Sequence, residues 1–208
     1  MSSGQKSQTS GHLIIFSAPS GCGKTTIVDR LLKRHPDWVR SISVTTRSPR
    51  IGEKGGGDYY FVLASAFQKM NEGGELLESA RVFDHYYGTP RAFVMEHLRS
   101  GKNVILTIDV QGMKKIKSAL GSEAPLMTIF VLPPSLKVLR ERLEGRKTES
   151  AEDIERRISA AQDEIKAATL YDFTVMNQSI EQTVAEIESF IEKKENERGD
   201  EHHALRST

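Results

Sequence analysis

Ala18-Pro19-Ser20-Gly21-Cys22-Gly23-Lys24-Thr25 follows the apolar run Leu13 to Phe16 and precedes a helical pattern that begins near Thr26. A strand, a Gly-rich turn and a helix in that order make a phosphate-binding loop. Small residues at Gly21 and Gly23 let consecutive backbone N–H groups turn inward, toward phosphate oxygens at the positive end of the following helix. Lys24 then reaches the outer phosphates, and the Thr25 hydroxyl can ligate Mg²⁺. The usual G-x-x-x-x-G-K-[ST] pattern begins with Ala18 in this chain, and the rest of the loop is intact. Cys22 reads as a small filler of a variable loop position rather than a nucleophile.

The length of 208 residues predicts one sizeable core with one or two small appended lobes. Lys plus Arg 29 against Asp plus Glu 28 leaves the net charge near zero, which argues against a general polyanion binder. Phosphate recognition must then be local, and the expected partners are small molecules, with no nucleic acid and no membrane. A single cysteine excludes an intramolecular disulfide framework and fits a reducing compartment. No apolar run approaches the ~20 residues of a membrane span, and no signal-peptide core stands at the N-terminus, so a soluble cytoplasmic protein is expected. Residues 1–11 and 193–208 are polar or charged and read as disordered tails. The His residues show no metal-ligand spacing.

Short apolar runs recur along the chain at Leu13 to Phe16, Val104 to Ile108, Leu126 to Leu132 and Phe173 to Met176, with helical segments between them. That alternation predicts an α/β fold with a central parallel sheet covered by helices in three layers. Ile27, Val28, Leu31 and Leu32 give the first helix its apolar face, and His35-Pro36 ends it. Two stretches break the rhythm. Between Ser43 and Arg91 come Gly55-Gly56-Gly57, the run Tyr59 to Leu63, a short helix around Phe67 and a strand from Leu76 to Phe83, together predicting an inserted lobe with its own small sheet. From Pro133-Pro134 onward a helix rich in Arg and Glu is expected. Within it Ser150 and Asp153 resemble a capping box, and Ile154, Ile158, Ala161 and Ile165 repeat at helical spacing. At roughly 100° per residue Arg157 flanks that stripe while Arg156 points nearly opposite, which makes Arg157 the better candidate for a held side chain.

The stretch Ser43-Val44-Thr45-Thr46-Arg47-Ser48-Pro49-Arg50-Ile51-Gly52-Glu53, with Gly57-Asp58-Tyr59-Tyr60-Phe61 after it, sets two arginines and a tyrosine in a Gly-rich polar loop. Arginine forks match phosphate oxygens, although two arginines alone also describe a solvated basic loop. With Tyr86-Tyr87-Gly88-Thr89, Ile108-Asp109-Val110-Gln111-Gly112 and Arg142-Leu143-Glu144-Gly145-Arg146, the chain from about Leu13 to Ile191 resembles the guanylate kinase family.

The resemblance implies Mg²⁺-dependent phosphoryl transfer from ATP, the co-substrate, to GMP. It implies a P-loop three-layer fold with a central parallel sheet, an inserted GMP-binding lobe carrying a small mixed sheet, and a helical lid. The implied boundaries are 12–42, 92–134 and 168–192 for the core, 43–91 for the lobe and 135–167 for the lid. Ala18 through Thr26 would cradle ATP, with Asn177 and Gln178 at the adenine. Arg47, Arg50, Tyr59 and Tyr87 would hold the GMP phosphate, Ser43, Glu78 and Thr89 would read guanine, and Asp109 would also belong to the GMP site. Lys24, Arg50, Arg146 and Arg157 would be catalytic, and Thr25 with Asp109 would serve the metal. The family usually has a second acidic residue two positions before Asp109, where this chain has Thr107.

Each of these residues also has a plainer reading. Glu78 can be a surface carboxylate on a strand, Tyr59 and Tyr87 can be core aromatics, and the lid arginines can belong to a salt-bridged surface helix. Asp109 at the end of an apolar run is expected to be a buried carboxylate that a metal would explain. The competing functional reading is a non-catalytic guanylate-kinase-like interaction module, against which the intact Gly23, Lys24 and Thr25 argue. Whether the chain acts as a monomer or a homodimer is left open.

Overall fold

The computed structural model describes residues 11–50, 52–82, 84–121, 123–145 and 150–204. Strand β1 (Leu13–Ser17) is buried along its whole length, as a continuous apolar run in a covered parallel sheet must be. Helix α1 (Lys24–Arg34) turns Ile27, Val28 and Leu31 inward. Then come β2 (Val39–Arg40), β3 (Val44–Thr45), β4 (Tyr60–Phe61), α2 (Ala64–Glu72), β5 (Leu76–Val82) and β6 (His85–Pro90). The chain continues through α3 (Arg91–Arg99), β7 (Val104–Thr107), α4 (Val110–Leu120), β8 (Leu126–Leu132), α5 (Leu136–Glu144) and α6 (Ala151–Lys166). A 3-10 turn (Ala167–Leu170), β9 (Phe173–Met176) and α7 (Ile180–Ala204) complete it.

The central parallel sheet has five strands in the order β2-β7-β1-β8-β9. Neighbours other than β8 and β9 are non-consecutive in sequence, and β8 reaches its parallel partner β9 through α5 and α6, the kind of crossover that parallel pairing requires. A second sheet, β4-β3-β6-β5, is mixed: β3 runs parallel to β4, while β6 runs antiparallel to both β3 and β5. The α/β architecture with a small mixed sheet agrees with the expectation. Strand β6 carries no apolar alternation in its sequence, and pairing with β5 from Pro90 to His85 is what makes it a strand.

The chain divides into two compact units. One comprises residues 11–15 with His35–Leu126, and the other Phe16–Arg34 with residues 127–204. The described residues of 43–91 all lie in the first, and those of 135–167 all lie in the second. In the second unit the Arg/Glu-rich segment is two helices, α5 and α6, rather than one, with 146–149 outside the described residues. Ser150 caps α6 as its sequence suggested, accepting from the Asp153 N–H at 3.2 Å.

The C-terminal segment requires a correction. Residues 193–204, expected as part of a disordered tail, continue α7. Val184, Ile187 and Ile191 bury the front of that helix. Beyond them Lys and Glu favour helix intrinsically and pair along it, Lys194 with Glu197 at 2.9 Å. Composition that forbids a packed core therefore does not forbid a helix already nucleated by a packed one.

Phe130 is fully buried in β8, with its ring centroid 5.0 Å from that of Tyr171 in an edge-to-face contact. Asp172 Oδ2 accepts from both the N–H and the hydroxyl of Thr128, at 2.8 Å each, and so locks β8 to the start of β9. Phe130→Ala should destabilise the protein by about 3–5 kcal/mol, because the void left in a packed strand cannot collapse. Urea unfolding midpoints compared at constant m-value measure it.

Candidate active site

In the second unit the loop from Ala18 to Thr25 joins β1 to α1 as its sequence demanded. Gly21 and Gly23 have φ of 94° and 85°, the left-handed region that side chains resist. The Gly23 carbonyl accepts the Ile27 N–H at 3.0 Å, so the helix starts on the loop itself. Lys24 opens α1, and Thr25 and Thr26 are exposed in its first turn. Pro19 is buried while Ser20 is exposed, and the Ser20 hydroxyl accepts from Arg157 Nη1 of α6 at 2.6 Å. Arg156 instead pairs with Asp153 on its own helix, the division that helical spacing predicted. Arg146 lies outside the described residues.

Cys22 is fully buried, and burial pushes its thiol up to about 12, with the charges of Arg142 and Lys24 opposing that rise. A thiol held so far from ionisation is not a nucleophile, as expected of a filler. Asn177 is also buried, and its amide is used inside the protein: Nδ2 donates to the Cys22 carbonyl at 2.7 Å, and Oδ1 accepts from Thr183 at 3.2 Å. Gln178 next to it is exposed. Arg142, quoted in the sequence motif but given no role, donates from Nη2 to the Asn177 carbonyl at 3.3 Å.

In the first unit strand register sets the geometry. A β-bulge between Leu76 and Glu78 places Glu78 opposite Thr89. The Thr89 hydroxyl therefore donates to Glu78 Oε1 at 2.8 Å, and both residues are buried. Burial raises the Glu78 pKa, the Thr89 hydrogen bond works against that rise, Asp109 adds to it and Lys115 lowers it. A Cβ on Gly112 would stand 3.4 Å from Glu78 Oε2 and 3.3 Å from Asp109 Oδ1, so the two carboxylates face the same turn of α4. Asp109 is exposed, not buried, and caps α4 by accepting the Gly112 N–H at 2.7 Å. That corrects the expectation of a buried acid: a cap explains Asp109 without a metal. Ser43 is half-buried and passes its carbonyl to the Tyr60 N–H at 2.9 Å, while Thr107 is exposed at the end of β7.

Pairing of Thr45 with Tyr87 brings Tyr87 to the root of the arginine loop. The Tyr59 and Tyr87 rings meet edge-on at 5.9 Å, and the Arg47 guanidinium lies 5.4 Å from the Tyr59 ring. Burial raises the Tyr59 pKa. Arg47 donates from Nη2 to both oxygens of Glu53, at 2.8 and 2.9 Å, and Glu53 also accepts the Arg50 N–H at 2.8 Å. The hydrogen bond from Arg47 holds the Glu53 carboxyl below its ordinary range, and the same bond raises Arg47. Glu53 thus ties the two arginines together, a role the sequence reading did not give it.

A loop of this geometry between β1 and α1 of a parallel sheet defines a P-loop protein. A family model described as "Guanylate kinase" matches residues 10–194. The guanylate kinase of Wolbachia sp. subsp. Brugia malayi (strain TRS) is 43% identical over 187 residues, covering 90% of this chain and 95% of that protein. That of Clostridioides difficile (strain 630) is 44% identical over 186 residues, 89% of each. The crystal structure of guanylate kinase from Anaplasma phagocytophilum superposes with a TM-score of 0.72 at 32% identity, over 89% of this chain and 87% of that one. The chain belongs to the guanylate kinase family.

Glu78 has a stability consequence. A carboxyl whose folded-state pKa is raised binds its proton more tightly folded than unfolded, so its contribution to stability falls as pH rises through that window. Glu78→Gln should therefore raise the melting temperature at pH 7. The gain should fade as pH drops below the ordinary carboxylate value of about 4.3, where both states become protonated. Thermal denaturation across pH reads both effects.

Proposed function

We propose that this chain transfers the γ-phosphoryl group of ATP to GMP, giving ADP and GDP. The observation that carries the choice of acceptor is Glu78, a carboxylate buried at the bulge of β5 and fixed on one oxygen by Thr89. Guanine offers N1–H and an exocyclic amine, two donors that an ionised carboxylate accepts together. Adenine presents an acceptor at N1 and is repelled. Ser43 and Asp109 would complete the base site. Arg47, Arg50, Tyr59 and Tyr87 would hold the phosphate, with Glu53 keeping Arg47 in place. The intact loop supports an enzyme over a non-catalytic interaction module of the same fold, which has no use for Lys24.

The second pKa of a nucleoside monophosphate lies near ~6, so the attacking oxygen of GMP is already deprotonated at neutral pH and no general base is required. What the site must supply is positive charge and alignment for two anionic groups reacting in line. Lys24, Arg50, Arg146 and Arg157 are the proposed catalytic cations. Arg157 is already seated on the loop through Ser20, where a γ-phosphate would be cradled. The proposed organisation is a core, a GMP lobe at 43–91 and a lid at 135–167 that excludes water as the competing acceptor. In the ATP site Ala18 to Thr26 would hold the phosphates and Gln178 the adenine edge.

Mg²⁺ fits as an ion carried on ATP. Mg²⁺ keeps most of its ligands from phosphate and water, so a hydroxyl and a carboxylate are a sufficient protein donor set for it. The exposed Thr25 hydroxyl and Asp109 would hold it, and when bound it neutralises charge on the β- and γ-oxygens. We place the reaction in the cytoplasm, a reducing compartment that suits a chain with a single cysteine.

A coupled assay of ADP formation with GMP, AMP, CMP and UMP should show turnover with GMP alone. Lys24→Ala should lower kcat by roughly 10²–10³-fold. Glu78→Ala should raise KM for GMP by roughly 10- to 100-fold with KM for ATP unchanged, the loss of hydrogen bonds to a charged acceptor. Equal losses for both nucleotides would contradict the role of Glu78.

A further inference from the structure

The back of the phosphate loop is held by one side chain. Asn177 is 2% exposed, and its Nδ2 donates to the Cys22 carbonyl at 2.7 Å. Its Oδ1 accepts from Thr183, itself 1% exposed, and its N–H donates to the Leu132 carbonyl at 2.8 Å. Both halves of the amide and the main chain of Asn177 are therefore committed to the protein interior. The fit is close: a Cβ on Gly23 would stand 2.6 Å from Nδ2, so the glycine that frees the loop's backbone also makes room for this contact.

In a planar trans peptide the C=O and N–H point to opposite sides. Cys22 C=O and Gly23 N–H belong to one peptide. Holding the carbonyl against Asn177 directs the Gly23 N–H away from it, and an inward-facing row of such N–H groups is what binds phosphate. The amide satisfies both neighbours at once, its Nδ2 donating to the carbonyl and its Oδ1 accepting from the Thr183 hydroxyl.

We propose that Asn177 is a positioning residue for the phosphate loop, acting on ATP through the Cys22–Gly23 peptide and not by touching adenine. The proposal rests on reading the loop as the ATP site. It departs from the family resemblance, which put the Asn177 side chain at the base.

Tripolyphosphate, which has the phosphates of ATP and no adenine, separates the two roles. With Asn177→Ala, calorimetry in the presence of Mg²⁺ should show ATP and tripolyphosphate weakened by the same factor, roughly tenfold for one buried hydrogen bond. KM for GMP should stay at the wild-type value. Tripolyphosphate binding unchanged while ATP weakens would overturn the proposal in favour of an adenine contact. Asn177→Asp adds a pH signature. Its carboxylate would face a carbonyl oxygen, and burial favours the protonated form, whose O–H can donate. The affinity of N177D for tripolyphosphate, relative to wild type, should recover as pH falls; no recovery counts against the proposal. Should N177A not fold, Thr183→Val removes only the hydroxyl that orients the amide and should weaken both ligands by about two- to threefold. Unchanged tripolyphosphate affinity in that variant overturns the proposal equally. A wild-type protein that bound neither ligand would instead remove the ATP-site reading, and the proposal with it.

Discussion

A loop that binds phosphate with its main chain must turn its N–H groups to one side, and the carbonyls of the same peptides are thereby driven back into the protein. Those carbonyls need donors, since a buried unpaired one costs as much as a lost hydrogen bond. α1 supplies a partner for Gly23 and Asn177 supplies one for Cys22. A Cβ on Gly21 would lie 3.0 Å from Leu139 and 3.1 Å from Leu143, so α5 closes on the loop's other glycine. The loop is eight residues of sequence, but its shape is kept by β8, α5, the turn after β9 and α7.

The first unit uses carboxylates in two opposite ways. Both oxygens of Glu53 accept from Arg47 Nη2, and that pairing holds its carboxyl low, so it serves as a brace for a cation. Glu78 is held differently: burial raises it and the Thr89 hydroxyl supports it. A carboxylate kept in that state costs stability, a cost proteins accept where a site needs a group ready for a ligand. The first unit thus braces Arg47 with one acid and keeps another buried with a single hydroxyl on it.

Much of this was legible beforehand. Strand β8 begins and ends where its apolar run does, at Leu126–Leu132, because a strand covered on both faces leaves a near-continuous hydrophobic signature. The edge strand β9 matches its run as well, at Phe173–Met176, although only Val175 is buried there. Helical spacing separated Arg157 from Arg156, and only the former reaches the loop. Other features left no local trace. Nothing in His85 to Pro90 alternates, so β6 exists only through its partners. Asp109 sits after an apolar run yet caps α4 in solvent, since burial of a strand does not extend to the residue that leaves it. The charged end of α7 read as a tail because composition measures the capacity to form a core, not the capacity to extend a helix.

The sequence by itself determined that a Gly-rich turn joins an apolar strand to a helix, that the sheet is parallel, and that two arginines, a tyrosine and an acid belong to one lobe. These are local matters of backbone freedom, periodicity and spacing, and they survive without knowledge of distant contacts. Only the tertiary structure decided that Glu78 faces Thr89, that Glu53 holds Arg47, and that Asn177 stands behind the loop rather than before it. Each depends on strand register or on a hydrogen bond between residues far apart in the chain. A one-residue change of register or a different peptide orientation would alter every one while leaving the motifs untouched.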